Sequence, residues 1–80
     1  MVYNGKVAKG KEFVFSNGAI ADSVVTLKKQ MKDLNDEEFT FHVNQDKNDF
    51  YNWIRDCIDK DLAEKIDGIL DKDDILKALD

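Results

Sequence analysis

Five of the chain's eight aromatic side chains fall between Phe39 and Trp53, in the run FTFHVNQDKNDFYNW. A chain of 80 residues holds little else large enough to organise a core, so this run decides where the fold must close. A single domain of this size buries only about 60% of the surface its unfolded form exposes. Domains below roughly 80 residues often lean on disulfides, metal or oligomerisation. Cys57 is the one cysteine, which forbids an intrachain disulfide and leaves good packing and self-association as supports. Residues 1–80 therefore read as one small domain, with 1–11 either a flexible tail or an extra short hairpin around Asn4-Gly5.

A second Asn-Gly pair, Asn17-Gly18, gives a clearer turn signal. Glu12-Phe13-Val14-Phe15-Ser16 precedes it and Ala19-Ile20-Ala21 comes after it. A two-residue turn there sets Phe15 opposite Ile20 on one face, with Phe13 beside Phe15. A lone hairpin of two strands is marginal, so it must pack on the helices C-terminal to it. Asp22 or Ser23 can cap a helix through Leu34, with Val24, Leu27, Met31 and Leu34 at helical spacing. Asn35 stands three residues before Glu38, a capping-box pattern that opens a short helix through about Val43.

After the polar stretch Asn44–Lys47, Asn48 caps the next helix and Asp49 suits its positive end. There Phe50, Trp53, Ile54, Cys57 and Ile58 fall at i, i+3, i+4, i+7 and i+8, the cleanest amphipathic pattern in the chain. Asp59 or Asp61 starts a further turn or helix with Leu62, Ala63, Ile66, Ile69 and Leu70 inward, weakened late by Gly68. Asp71 caps a last helix carrying Ile75, Leu76 and Leu79. The expected architecture is α+β, mainly α: an N-terminal β-hairpin over about residues 12–21 packed on four or five short helices. The expected core is Phe13, Phe15, Leu27, Met31, Phe39, Phe50, Trp53, Ile54 and Cys57, with the amphipathic segment that bears Trp53 as its keystone.

Phe39-x-x-His42-Val43, then Asn48-Asp49-Phe50-x-x-Trp53-Ile54, then Asp61-Leu62-Ala63 resembles the motif set of a small family of uncharacterised archaeal and bacterial domains. The resemblance spans about residues 12–64, with Cys57-Ile58 standing where a small aliphatic pair is expected. It implies the same hairpin-plus-helices fold and supplies no chemistry.

Candidate chemistry is sparse. His42, the only histidine, reads either as a general base or pH switch, or as a helix-end histidine bonded to backbone or to Asp46 or Asp49. Cys57 lies on the apolar stripe beside Ile54 and Ile58, the setting of a structural thiol rather than a nucleophile. The acids of the C-terminal third do not follow a calcium loop, because Asp67-Gly68 comes before Asp71. No phosphate loop or metal-ligand spacing is present, so neither a cofactor nor a metal is expected. Tyr51 and Arg55, four apart on one flank of the Trp53 helix, and Phe41 lie off the main stripe and, with His42, form the candidate interaction surface.

Charge divides the chain. Residues 1–34 carry six lysines against three acids, and residues 35–80 carry six basic residues against fourteen acids, for a net charge of −5. An acidic body repels nucleic acid and anionic membrane. With no apolar block long enough for a bilayer or a signal peptide, and one lone thiol, the cytoplasm is the expected compartment. The leading functional expectation is a non-enzymatic protein-interaction module acting on a protein partner or on itself. The alternative is a nucleic-acid or ribonucleoprotein accessory docking through the lysine-rich first third.

Truncating a core indole costs roughly 3–5 kcal/mol, much of what a small domain possesses. Trp53→Ala is therefore expected to abolish the cooperative thermal transition. A sharp melt near the parent temperature would remove Trp53 from the core.

Overall fold

Each helix begins at a side chain able to accept a hydrogen bond from the first turn. In the computed structural model, which describes residues 5–80, Ser23 caps α1 (Val24–Lys32) and Asn35 caps α2 (Asp36–His42). Asn48, Asp59 and Asp71 cap α3 (Asp49–Cys57), α4 (Lys60–Glu64) and α5 (Lys72–Ala78). Each cap satisfies a backbone N–H that the helix itself leaves without a partner. Two caps are reciprocal: Thr26 answers Ser23, and Glu38 answers Asn35 with 2.8 and 3.0 Å bonds. These helices are too short to persist alone and draw their stability from tertiary packing.

The helices come after a two-stranded antiparallel hairpin of β1 (Phe13–Val14) and β2 (Ile20–Ala21), so the chain is α+β and mainly α. The hairpin register differs by one residue from the expected one. Phe13 pairs with Ala21 and Val14 with Ile20, so the loop holds three residues, Ser16-Asn17-Gly18. The Phe15 N–H donates to the Ala19 carbonyl at 2.8 Å, and the Gly18 N–H donates to the Phe15 carbonyl at 2.9 Å. A two-residue type I′ turn needs positive φ at both central positions. Here Gly18 takes φ +89°, whereas Asn17 does not enter that region, and its Oδ1 accepts the Ala19 N–H at 2.9 Å. A one-residue slip exchanges the faces of a strand. Phe13, Phe15 and Ala21 thus point inward, while Val14 and Ile20 stand 62% and 57% exposed.

Phe50 is fully buried and is the ring on which the others meet. Its centroid lies 5.0 Å from Phe13, 5.9 Å from Phe15, 5.4 Å from His42 and 6.2 Å from Phe39. Leu27, Met31 and Ile54 are likewise fully buried. Trp53 sits at the edge of this cluster, 9% exposed and edge-on to Phe13 at 6.0 Å. Its Nε1–H donates to the Lys11 carbonyl at 2.7 Å. The centre of the core is therefore Phe50, on the expected keystone segment and one turn before Trp53.

Two further expectations shift. Cys57 is only half-buried, because it ends α3 where the chain turns into α4. Leu70 is 49% exposed rather than inward. Regular helix stops at Glu64 and Gly68 takes φ +80°, so no helical stripe carries Leu70 to the core. The Asn4-Gly5 hairpin falls partly outside the described residues. Nearer the core, the Val7 N–H donates to the Asp22 carbonyl at 2.8 Å. No helix among the described residues is long and apolar enough to cross a membrane.

Because the Phe15 N–H donates to the Ala19 carbonyl, Val14 and Ile20 form the closely spaced, non-hydrogen-bonded pair between strands. A strong Hα–Hα NOE between Val14 and Ile20 is expected. The same signal between Phe15 and Ile20 would restore the two-residue turn.

Candidate interaction surface

His42 closes α2 and is 3% exposed. Its Nε2 lies 2.9 Å from the Ser16 backbone nitrogen, and its Nδ1 lies 3.1 Å from Asp49 Oδ2. A backbone N–H can only donate, so Nε2 is the acceptor. The ring is then the neutral tautomer with its proton on Nδ1, donating to Asp49. Lys47 Nζ donates to the same Asp49 oxygen at 3.0 Å. Phe13, Phe15 and Phe41 each approach the imidazole edge-on.

Ser16, His42 and Asp49 thus stand in the order of a nucleophile, base and orienting acid, but the wiring differs. The imidazole lone pair is taken by the amide of Ser16, where a general base would need it for a substrate or nucleophile proton. His42 fastens the hairpin to α2 and α3, and burial withdraws it from the expected surface. The cap residues next to it also hold the fold. Asn48 Oδ1 accepts the Tyr51 N–H at 2.9 Å, and its Nδ2 donates to the Ile66 carbonyl at 3.3 Å.

The other three expected surface residues remain accessible to different degrees. Phe41 is 59% exposed, with Lys47 Nζ 4.6 Å from its ring centroid. Tyr51 is half-buried, and exposed Arg55 places Cζ 5.4 Å from its ring. Arg55 also donates twice to Asp56, at 2.9 and 3.3 Å. Those hydrogen bonds hold the guanidinium above its ordinary range and the Asp56 carboxyl below its own. An exposed pair of this kind contributes little to stability.

Lys47 and Tyr51 lead to a feature the sequence did not signal. Both line an open cleft of about 400 Å³ between the loop 44–48 and the turn 67–70. The first wall is closed by mutual backbone bonds between Asn44 and Lys47 and by a bridge from Val43 to Asn48. Gly68 lets the second wall turn back on itself. The Asn48–Ile66 bond joins the two walls at their base. Leu70 lines this cleft and also a second one of about 260 Å³ between α2 and the start of α5.

The lysines of the first third are partly engaged: Lys6 lies 3.9 Å from Asp22, and Lys28 pairs with Asp80. Among the described residues no group of three or more histidine, cysteine, aspartate or glutamate side chains is arranged to hold a metal ion. The chain matches no protein-family profile, no curated protein and no solved structure.

His42→Phe preserves a ring but leaves the Ser16 amide without an acceptor and Asp49 with Lys47 alone. Its expected cost is about 1–3 kcal/mol, read by urea unfolding. Long-range ¹H–¹⁵N spectra of the native protein are expected to place the imidazole proton on Nδ1. A proton on Nε2 alone would overturn the bonding scheme.

Proposed function

We propose that the chain is a non-enzymatic protein-interaction module, using the surface that runs from Phe41 over Lys47 into the cleft and on to Leu70. The observation that carries this reading is the joining of exposed apolar side chains to concavity. Isolated exposed hydrophobic residues are ordinary on any protein. Here Phe41 carries Lys47 over its ring, Lys47 and Tyr51 line the cleft, and Leu70 stands in its far wall. Aromatic residues and arginine are enriched where proteins meet, and anchors that fill pockets carry most of the affinity. The engaged lone pair of His42 supports binding over general-base chemistry at this place.

The partner is a protein segment or a second copy of the chain. Selection of displayed random peptides on the folded protein tests the reading, because it needs no partner chosen in advance. The double variant Phe41→Ala, Leu70→Ala is expected to keep its melting transition, since both side chains are about half or more exposed and lie outside the buried core. It is expected to bind the selected peptides at least about tenfold more weakly, equivalent to about 1.4 kcal/mol. Peptides indifferent to the double variant, or no enrichment at all, would overturn the reading.

A further inference from the structure

We infer that the ligand of this surface is a short cationic segment in which a lysine or arginine neighbours a bulky apolar residue, laid across Leu70 so that it reaches both clefts. The inference rests on the interaction-module reading above and names the partner that this reading leaves open.

Charge sets the first requirement. Asp46 and Asp67 face the larger cleft, and Asp36, Asp71 and Asp73 face the smaller one. Each cleft has one lysine in its wall, and each is already engaged. Lys47 is held by Asp49 at 3.0 Å and lies over the Phe41 ring. Lys72 donates to the Leu34 carbonyl at 2.8 Å. Asp71 accepts the Asp74 N–H as a helix cap, yet a carboxylate keeps further acceptor sites. Five carboxylates around two committed cations make a field that favours a positive ligand, and clefts concentrate such fields. An anionic partner would meet repulsion from both sides.

Shape and polarity set the second. Leu70 is about half exposed and stands between two separate hollows. Compact drug-sized ligands occupy single cavities of roughly 300–1,000 Å³. Two hollows of about 400 and 260 Å³ divided by an apolar ridge suit successive side chains of an extended segment better than one compact molecule. The ridge and the Tyr51 face of the larger hollow require an apolar group, which a bare polyamine lacks. With no three-ligand cluster among the described residues, a metal ion is a poor match as well.

The test is an NMR titration of the ¹⁵N-labelled full chain with acetylated, amidated pentapeptides at low and moderate salt. The probes are Gly-Arg-Leu-Arg-Gly, Gly-Glu-Leu-Glu-Gly and Gly-Arg-Gly-Arg-Gly, with spermidine as a bare polycation. The arginine–leucine peptide is expected to shift the amides of Tyr51, Gly68 and Leu70, and to weaken as salt rises. The glutamate peptide is expected to leave them unmoved. Loss of the leucine is expected to weaken binding severalfold, and so is the double variant Asp46→Asn, Asp67→Asn at unchanged melting temperature. Equal binding by the glutamate peptide, by Gly-Arg-Gly-Arg-Gly or by spermidine would overturn the inference, as would shifts confined to another face. If displayed peptides select for the cleft but carry no basic residue, this inference fails while the interaction reading stands. If no peptide of any kind binds, both fail.

Discussion

The packing of Phe13 and Phe15 on Phe50 is the contact on which the rest of this molecule depends. Two strands of two residues each cannot persist unsupported, and α3 alone is below the length at which helices hold in water. Each becomes stable only by covering the other. Two side-chain bonds to backbone bracket that contact. The Trp53 indole holds Lys11 before β1, and the His42 imidazole holds Ser16 after it. Both reach β1 from the helical layer, so the strand is held at its ends by hydrogen bonds and between them by aromatic packing. The buried imidazole is therefore a structural consequence of the hairpin. It supplies the acceptor for the Ser16 amide, and Asp49 supplies the acceptor for its second nitrogen. Among the described residues, no buried side-chain nitrogen or oxygen lacks a hydrogen-bond partner.

Local signals in the sequence were sufficient for what is locally determined. Asn35 with Glu38, Asn48 before the Phe50 stripe and Asp71 before Ile75, Leu76 and Leu79 all mark helix starts, because a cap acts within four residues of itself. The hairpin itself was legible from Asn17-Gly18 and its register was not. The dipeptide fits two turn types, and the choice between them rests on whether Asn17 bends into positive φ or bonds to Ala19. Burial of both Phe13 and Phe15 is compatible with either, since the two residues share a face at any register. The neighbour that distinguishes the registers is Ile20, and nothing in its side chain forbids the solvent face.

The position of His42 shows the opposite case. A bond to backbone or to Asp49 was one of the two readings open to a helix-end histidine, but the burial that withdraws it from the surface is set by Ser16, twenty-six residues away. Partners brought together by tertiary folding leave no periodic trace. The same holds for the cleft. Its two walls read separately as a polar loop and as a glycine that ends a helix. They become one feature through the Asn48–Ile66 bond, which spans eighteen residues. A cap serving the first turn of α3 with its oxygen and a distant carbonyl with its nitrogen cannot be recognised from the capping pattern alone.

That double use of Asn48 separates what builds the surface from what faces it. Asn48 shapes the cleft and belongs to the fold, so its side chain is constrained by α3 and by Ile66 together. Leu70 and Phe41 project outward from positions that the core does not need. Asp46 and Asp67 likewise stand in solvent at the cleft. On the interaction reading proposed above, such a surface would change its preference through substitutions that leave the hydrophobic cluster untouched, because sites without shared partners act nearly independently. The charge division has a physical role in the same scheme. The cations lining the two clefts are held by Asp49 and by a backbone carbonyl, while the carboxylates around them remain exposed to solvent. On the proposed reading, the acidity of residues 35–80 thus serves the recognition of a cationic segment at the cleft as well as helix capping.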